Sequence, residues 1–270
     1  MHPRLPDIDL PVGPPLHLEH PGRARALLGP QLLPERIARM ERALETRTLH
    51  LTAVLEHLHD PHNIGACVRT MDALGLQRVD IVHVLADPMA PPPPPPAGGP
   101  GLPRRSRFKL GRDVTRGSER WLQLQRHVRS EDAIASLREA GYALAVTDIH
   151  GDRPVHGPLD VPLDRPLAVV FGNEHDGVTD AMREAADYRL LLPMRGFVES
   201  LNVSVALAML MGRLRERVDA EIPSARSALP EDLRVRLLDR WILEDIPNLP
   251  LVLREHVRRA GLGDIAAPVR

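Results

Sequence analysis

Along this chain short apolar runs, rich in β-branched residues, alternate with stretches whose apolar residues return every third or fourth position. The first pattern predicts strands and the second amphipathic helices. LHLTAVLEHL reads as a strand ended by the breakers His59, Asp60, Pro61 and His62, and NIGACVRTMDALG as a helix with Ile64, Val68 and Met71 on one stripe, stopping at Gly75. RVDIVHVL is a second strand. Further on, SEDAIASLREAGY predicts a helix with an N-cap serine and a stop at Gly141, ALAVTDI and PLAVVFGNE predict strands, VTDAMREAA a capped helix and YRLLLPM another strand. LNVSVALAMLMGRLRERV is a long helix, apolar on more than one side. Such alternation implies an α/β fold with a largely parallel sheet.

The flanks follow other patterns. Residues 1–33 are Pro-rich, with Gly13, Pro14, Pro15, Pro21, Gly22, Gly29 and Pro30 as breakers, and predict a mostly extended arm. Residues 34–48 predict a helix, because PERIARMERALETR sets Ile37, Met40 and Leu44 at helical spacing behind an early proline, with arginines on the other face. The alternating domain is placed at 49–218. It is interrupted at 86–107 by ADPMAPPPPPPAGGPGLPRRSR, where proline removes donors and fixes φ, so an exposed loop is expected. Residues 219–270 predict a helical extension: Leu233, Leu237, Leu238, Trp241 and Ile242 form one stripe, and LVLREHVRRAGL repeats the pattern.

Composition narrows the class. At 270 residues the chain holds one substantial domain with appendages or two small ones. A hydrophobic share of 43% and a charged share of 26% are those of a globular protein, and 3% aromatics argue against a broad base-stacking platform. Basic residues (35) and acidic residues (36) nearly cancel, so distribution matters more than net charge. Arg104, Arg105, Arg107, Lys109, Arg112, Arg116, Arg120, Arg126 and Arg129 face only Asp113 and Glu119, which is either a phosphate-contacting patch or a solvated charged loop. Lys109 is the only lysine; guanidinium groups suit bidentate phosphate contacts, and base composition of the gene is an equal explanation. One cysteine, Cys67, allows neither an intrachain disulfide nor a Cys-based metal cluster, and the expected compartment is the cytoplasm. MHPRLPDIDLPVGPP carries no secretory pattern, and no apolar run reaches membrane-spanning length, so no bilayer attachment is expected.

Three segments carry the candidate chemistry: DPHNIGACVRT, FGNEHDG and PMRGFVESLNVS. FGNEHDG lacks G-x-G-x-x-G and falls late in the chain, which argues against a dinucleotide oxidoreductase. His57, His59 and His62 straddle a strand end that points them apart, and no acidic or cysteine cluster follows, so no metal is expected. Asn63 and Arg69 lie on one predicted helix, Glu174 at a strand's carboxyl end, and Ser200 and Asn202 before another helix. Polar residues at such entrances are where α/β proteins build sites. Simple N-capping is the other account of Ser200 and Asn202.

These segments resemble the motifs of the SPOUT superfamily of methyltransferases. RIARMERALETRTLHLTAVLEHLHDPHNIGACVRTMDALG, with PMRGFVESLNVSVALAMLM behind it, resembles the bacterial tRNA (guanosine(18)-2'-O)-methyltransferases, and the likeness runs from about residue 35 to about residue 262. It implies a SPOUT-type parallel sheet with a C-terminal deep trefoil knot, flanked by N- and C-terminal helices, and a homodimer joined through the knot region. It further implies S-adenosyl-L-methionine as cofactor, tRNA as partner, and methyl transfer to the ribose 2'-hydroxyl of guanosine 18 in the D-loop. By residue match the cofactor loops contain Thr147, Gly172, Asn173, Gly177, Leu192, Met194 and Leu201. Arg69 matches the arginine proposed to activate the hydroxyl, Asn63 the residue that positions Arg69 or the ribose, and Glu174, Ser200 and Asn202 the remaining site polars. An arginine is so firmly cationic that binding the neighbouring phosphate is the simpler role. Arg36, Arg39, Arg42, Arg258 and Arg259 on the flanking helices, with Arg104, Arg105, Arg112 and Arg116, are the expected phosphate contacts. His175 and Asp176 stand where relatives commonly carry a basic residue, and Glu199 where many carry glutamine; the added negative charge bears on RNA approach. A methyltransferase acting on ribosomal RNA and an RNA-binding relative without catalysis are the competing classes.

Overall fold

The five predicted strands all form, and they join one parallel sheet. The computed structural model describes residues 21–82, 115, 117–148, 153–173, 176–249 and 251–252. The elements of the alternating region are β1 (Leu51–Glu56), α3 (Pro61–Ala73), β2 (Arg78–Val82), β3 (Gln123–His127), α4 (Ser130–Glu139), β4 (Ala143–Val146), β5 (Val155–His156), β6 (Leu167–Phe171), α5 (Asp180–Ala185), β7 (Tyr188–Leu190) and α6 (Val203–Glu221). They are preceded by α1 (Arg23–Leu28) and α2 (Pro34–Glu45) and followed by α7 (Ser224–Ser227) and α8 (Glu231–Asp245). The chain divides into two compact units, residues 49–226 and the described residues of the two flanks.

In the first unit the seven strands are ordered β3-β2-β1-β6-β4-β7-β5, and every pairing is parallel. The period-2 alternation of β1 explains how both faces are filled. Leu51, Ala53 and Leu55 pack with Ile64, Cys67, Val68 and Met71 of α3 and Leu207, Leu210, Met211 and Leu214 of α6. Val54 packs with Ala133 and Leu137 of α4 and Met182 of α5 on the opposite face. Burial on both faces is why these strands read as nearly continuous apolar runs. It also leaves Thr52 and Glu56, which share the face of Val54, as polar groups in the interior.

Strand order reverses around β1. β2 and β3 are added on one side; the chain then crosses to β4, and β6 later enters between β1 and β4 and β7 between β4 and β5. In open α/β sheets the carboxyl ends of strands beside such a reversal are where sites form.

In the second unit α1 and α2 pack on α8. Asp239 of α8, itself buried, accepts from the backbone N–H of Gly22 at 2.6 Å and of Arg25 at 2.8 Å, satisfying the start of α1. Arg47 lies over the ring of Trp241 at 4.9 Å. Residues 21–33 therefore depart from the extended arm expected of them: α1 and a 3-10 turn at Gly29–Gln31 occupy most of that stretch. The breakers Gly22, Gly29 and Pro30 bound these short helices instead of preventing them, because Asp239 supplies a cap invisible in the local sequence.

Three further differences are local. Ser130 is expected as an N-cap, but Arg129 holds that position and Ser130 is the first helical residue, its hydroxyl donating to Glu56. β3 and the two-residue β5 have no counterpart among the predicted strands: Gln123, Gln125 and His127 are too polar for a strand pattern, and β3 forms because β2 offers an open edge. α6 continues through Glu221, past the boundary expected at 218. The proline insert at 86–107, Arg104, Arg105, Arg112, Arg116, Glu174, Arg258 and Arg259 lie outside the described residues.

Candidate active site

Four loops leave the carboxyl ends of neighbouring strands: 57–60 after β1, 147 onward after β4, 172–179 after β6 and 191–202 after β7. Their closeness follows from register, since Val146 pairs with both Val170 and Arg189, and Leu55 with Phe171. DPHNIGACVRT, FGNEHDG and PMRGFVESLNVS are thus brought to one edge of the sheet, together with Thr147.

The loop after β1 turns at once. His57 has φ 53°, a left-handed conformation uncommon for a residue other than glycine, and such outliers collect at functional sites. Asp60 then caps α3 by accepting from the His62 N–H at 2.8 Å, and Pro61 occupies the first helical position. Asn63 follows in the first turn. Its Oδ1 accepts from the Nδ2 of Asn202 at 3.0 Å, joining two residues distant in the sequence. Asn202 is the N-cap of α6, its Oδ1 accepting from the Ser204 N–H at 2.9 Å and the Ser204 hydroxyl at 2.6 Å. Ser200 is exposed and is not the cap, so capping accounts for Asn202 in part and for Ser200 not at all.

Arg69 lies about 9 Å farther along α3 than Asn63. It is exposed and makes no hydrogen bond or ion pair among the described residues. Helical side chains lean toward the helix N-terminus, so its guanidinium is directed back toward the strand ends. Asn63 is bonded to Asn202 and not to Arg69 in this arrangement.

The loop after β6 is closed on itself. Asn173 and Gly177 exchange two backbone hydrogen bonds of 3.0 and 2.9 Å, and Gly177 adopts φ 69° to allow it. A Cβ on Gly172 would fall 2.3 Å from the Gly177 carbonyl carbon, so only glycine permits this closure. Asn173 is buried and donates through Nδ2 to the His57 carbonyl at 3.2 Å. Thr147, also expected here, gives both its hydroxyl and its N–H to the Val170 carbonyl, at 2.9 and 3.0 Å. Next to it Asp148 is buried and receives Arg183 Nε at 2.5 Å, tying the β4 loop to α5.

The loop after β7 differs in kind. Leu192 and Leu201 are half-buried, while Met194, Phe197 and Val198 are exposed. Among the described residues 192–201 make no backbone-to-backbone hydrogen bond, leaving N–H and C=O groups beside apolar side chains. Glu199 and Asp176 are exposed as well.

Sequence reasoning missed Glu56. It is fully buried at the carboxyl end of β1, where its carboxyl group takes the Ser130 hydroxyl, the Thr179 N–H at 2.9 Å and the Thr179 hydroxyl at 2.8 Å. The signal was available: a charged residue inside an apolar strand of a doubly covered sheet must have partners. Arg36, expected as a phosphate contact, donates to Asp245 through two bonds of 2.7 Å, joining α2 to α8, so its guanidinium already has an acidic partner. Arg39 and Arg42 are exposed on α2. No group of three His, Cys, Asp or Glu converges as a metal site among the described residues, and none of their helices is long and apolar enough to cross a membrane.

Comparison with known proteins gives these loops their context. Residues 107–212 match the SpoU rRNA Methylase family. The tRNA (guanosine(18)-2'-O)-methyltransferase of Escherichia coli (strain K12) is 32% identical over 207 residues, covering 76% of this chain and 81% of that protein. The chain belongs to the tRNA (guanosine(18)-2'-O)-methyltransferase family of the SPOUT superfamily. The corresponding protein of Thermus thermophilus is 31% identical over 205 residues, 76% of this chain and 94% of its own length. The A. aeolicus TrmH/SpoU tRNA modifying enzyme superposes with a TM-score of 0.64 at 24% identity, over 79% of this chain and 98% of that one, a likeness of fold.

The residues present fit the cofactor that the resemblance implies. The glycine-only approach of Gly172 to Gly177 brings the two backbone ends of that turn into contact, and residues 192–201 present open backbone groups next to the apolar Leu192, Met194 and Leu201, the mixture that an adenine and ribose require.

Proposed function

We propose that this chain transfers a methyl group from S-adenosyl-L-methionine to the ribose 2'-hydroxyl of guanosine 18 in the tRNA D-loop. The observation that carries the reading is the meeting of Asn63 with Asn202 at the edge where the loops after β4, β6 and β7 open, in a chain that spans 81% of its E. coli relative. Residues 172–177 and 192–201 hold the cofactor, which supplies, when bound, an electrophilic methyl group on a sulfonium sulfur. What remains for the chain is to place a poor nucleophile and help its proton leave. Arg69, a fixed cation open to solvent, binds an RNA phosphate and sets the 2'-hydroxyl in line. The Asn63 and Asn202 pair fixes the entrances of α3 and α6 relative to each other, so the ribose meets one geometry. Glu174 and Ser200 supply the remaining polar contacts, and Arg39, Arg42, Arg104, Arg105, Arg112, Arg116, Arg258 and Arg259 the more distant phosphate contacts.

Two further features belong to the same proposal. The late entry of β6 and β7 between earlier strands supports a chain threaded as a trefoil knot. The protein is a homodimer joined through α6, whose Val205 and Met209 stand 46% and 50% exposed one turn apart with Ala208 beside them. A Val205→Glu, Met209→Glu double variant is expected to run as a monomer in light scattering; an unchanged dimer mass would remove α6 from the interface.

The deciding assay combines purified protein, labelled S-adenosyl-L-methionine and unmodified tRNA or ribosomal RNA, with the modified nucleotide mapped. Label at the 2'-oxygen of guanosine 18 is expected. Transfer to ribosomal RNA alone, or to a base, overturns the proposal, and cofactor binding without transfer to any RNA identifies an inactive relative.

A further inference from the structure

We infer that Glu56 is a positioning residue which, together with its neighbour His57, clamps both ends of the cofactor loop after β6; this rests on the reading of residues 172–177 as part of the S-adenosyl-L-methionine pocket. At the near end, the His57 carbonyl receives Asn173 Nδ2 at 3.2 Å. His57 delivers that carbonyl by taking φ 53° while its own N–H stays bonded to the Val82 carbonyl at 2.9 Å, so the turn is held from the sheet side. At the far end, the Glu56 carboxyl accepts both the N–H and the hydroxyl of Thr179. The Thr179 hydroxyl in turn accepts the Met182 N–H at 3.3 Å as the N-cap of α5. Ser130, at the start of α4, donates to the same carboxyl oxygen as the Thr179 hydroxyl and completes the group.

A buried carboxyl group needs partners, and purely structural ones could come from anywhere in the fold. Here two consecutive residues, the last of β1 and the first beyond it, reach one loop at its Asn173 and Gly177 closure and at Thr179 beyond it. Period-2 geometry explains how. Glu56 points to the α4 and α5 face and meets Thr179 by its side chain, whereas His57, at the left-handed turn, meets Asn173 by its backbone. The loop's two ends are therefore set by the same strand whose following helix carries Asn63 and Arg69. Cofactor and ribose are referred to one rigid element, which is what in-line transfer requires.

The test uses the full-length protein and calorimetric binding of S-adenosyl-L-homocysteine, alongside steady-state kinetics and tRNA binding. Glu56→Gln cannot accept at both oxygens, and Thr179→Val deletes only the hydroxyl; Thr179→Ser restores it. Expected are a tenfold or greater rise in the Kd for S-adenosyl-L-homocysteine and in the cofactor KM for Glu56→Gln, a several-fold rise for Thr179→Val, wild-type values for Thr179→Ser, and unchanged tRNA affinity throughout. Wild-type cofactor affinity in both Glu56→Gln and Thr179→Val overturns the inference, as does Thr179→Ser as weak as Thr179→Val. If Glu56→Gln does not fold, the Thr179 pair decides. Failure of the wild-type protein itself to bind S-adenosyl-L-homocysteine overturns the pocket reading and this inference with it, whereas normal wild-type binding with unaffected variants overturns this inference alone.

Discussion

The two edges of the sheet are built in opposite ways. At the amino edge polar groups are spent on one another: Tyr142 donates to the Leu49 carbonyl at 2.7 Å, His50 Nε2 meets the Leu163 carbonyl at 2.9 Å, and Asp187 takes Arg138 at 2.7 Å, Arg165 at 2.9 Å and the Leu144 N–H at 2.8 Å. At the carboxyl edge Arg69, Ser200 and the 192–201 backbone face solvent without partners among the described residues, and His57 holds an uncommon backbone conformation. The first edge contributes stability; the second leaves groups unsatisfied. The difference teaches that a site can be recognised by what its residues leave undone, provided the other end of the same strands holds the fold together.

The sharpest break of this comparison is Arg69→Ala, for which turnover is expected to fall on the order of a hundredfold or more while the melting temperature stays put, because the side chain holds nothing together. Arg69→Lys should be nearly as poor, since an ammonium cannot make a bidentate phosphate contact; full activity in single-turnover kinetics would refute the role. Next comes Asn202, which sits on both sides of the divide. Asn202→Ala should cost about 1 kcal/mol through the lost cap and lower turnover roughly tenfold. Asn202→Ser keeps a capping oxygen but cannot reach Asn63, so stability should return and activity should not.

The amino edge makes the converse prediction. Asp187→Asn should cost about 1 to 3 kcal/mol in denaturant titration with kcat unchanged. The wild-type carboxylate also has a pH signature. Burial alone would raise its pKa, but the Arg138 and Leu144 hydrogen bonds and the nearby Arg165 hold it below the usual carboxylate range. Its contribution is therefore complete above the unfolded value and lost as pH falls through the lower folded one. The smallest effect is that of His50. Burial lowers its pKa, opposed by the Leu163 carbonyl, so the neutral ring is favoured in the folded state. Stability should be complete above about pH 6.5 and decline as the pH falls below it, and His50→Gln should flatten that upper slope. Melts that stay flat from neutral to pH 5 would remove His50 from the account.

What the residues reveal on their own depends on range. β1, β2, β4 and β6 are legible because strands buried on both faces must be apolar, β7 by the leucine run that follows Arg189, and α3, α4 and α6 because one face must be apolar. β3 is not, since Gln123 and Gln125 belong to a strand only once β2 stands beside them. The site is legible as motifs, with Asn63, Asn202, Gly172 and Gly177 placed where loops open. Glu56 reads as one polar letter in a strand, and Arg36 as free charge, because Asp245 lies far along the chain.

The sequence by itself determined the alternation of elements, the glycines that the 172–177 turn demands and the membership of a methyltransferase family, since these rest on neighbouring residues or on whole-motif likeness. Only the tertiary structure decided which polar groups are consumed and which are available: that Asn63 meets Asn202, that Asp239 caps α1, and that Glu56 and His57 hold the two ends of one loop. The reason is physical. A hydrogen bond forms within about 3 Å whatever the separation in sequence, and no local pattern records which distant group will arrive.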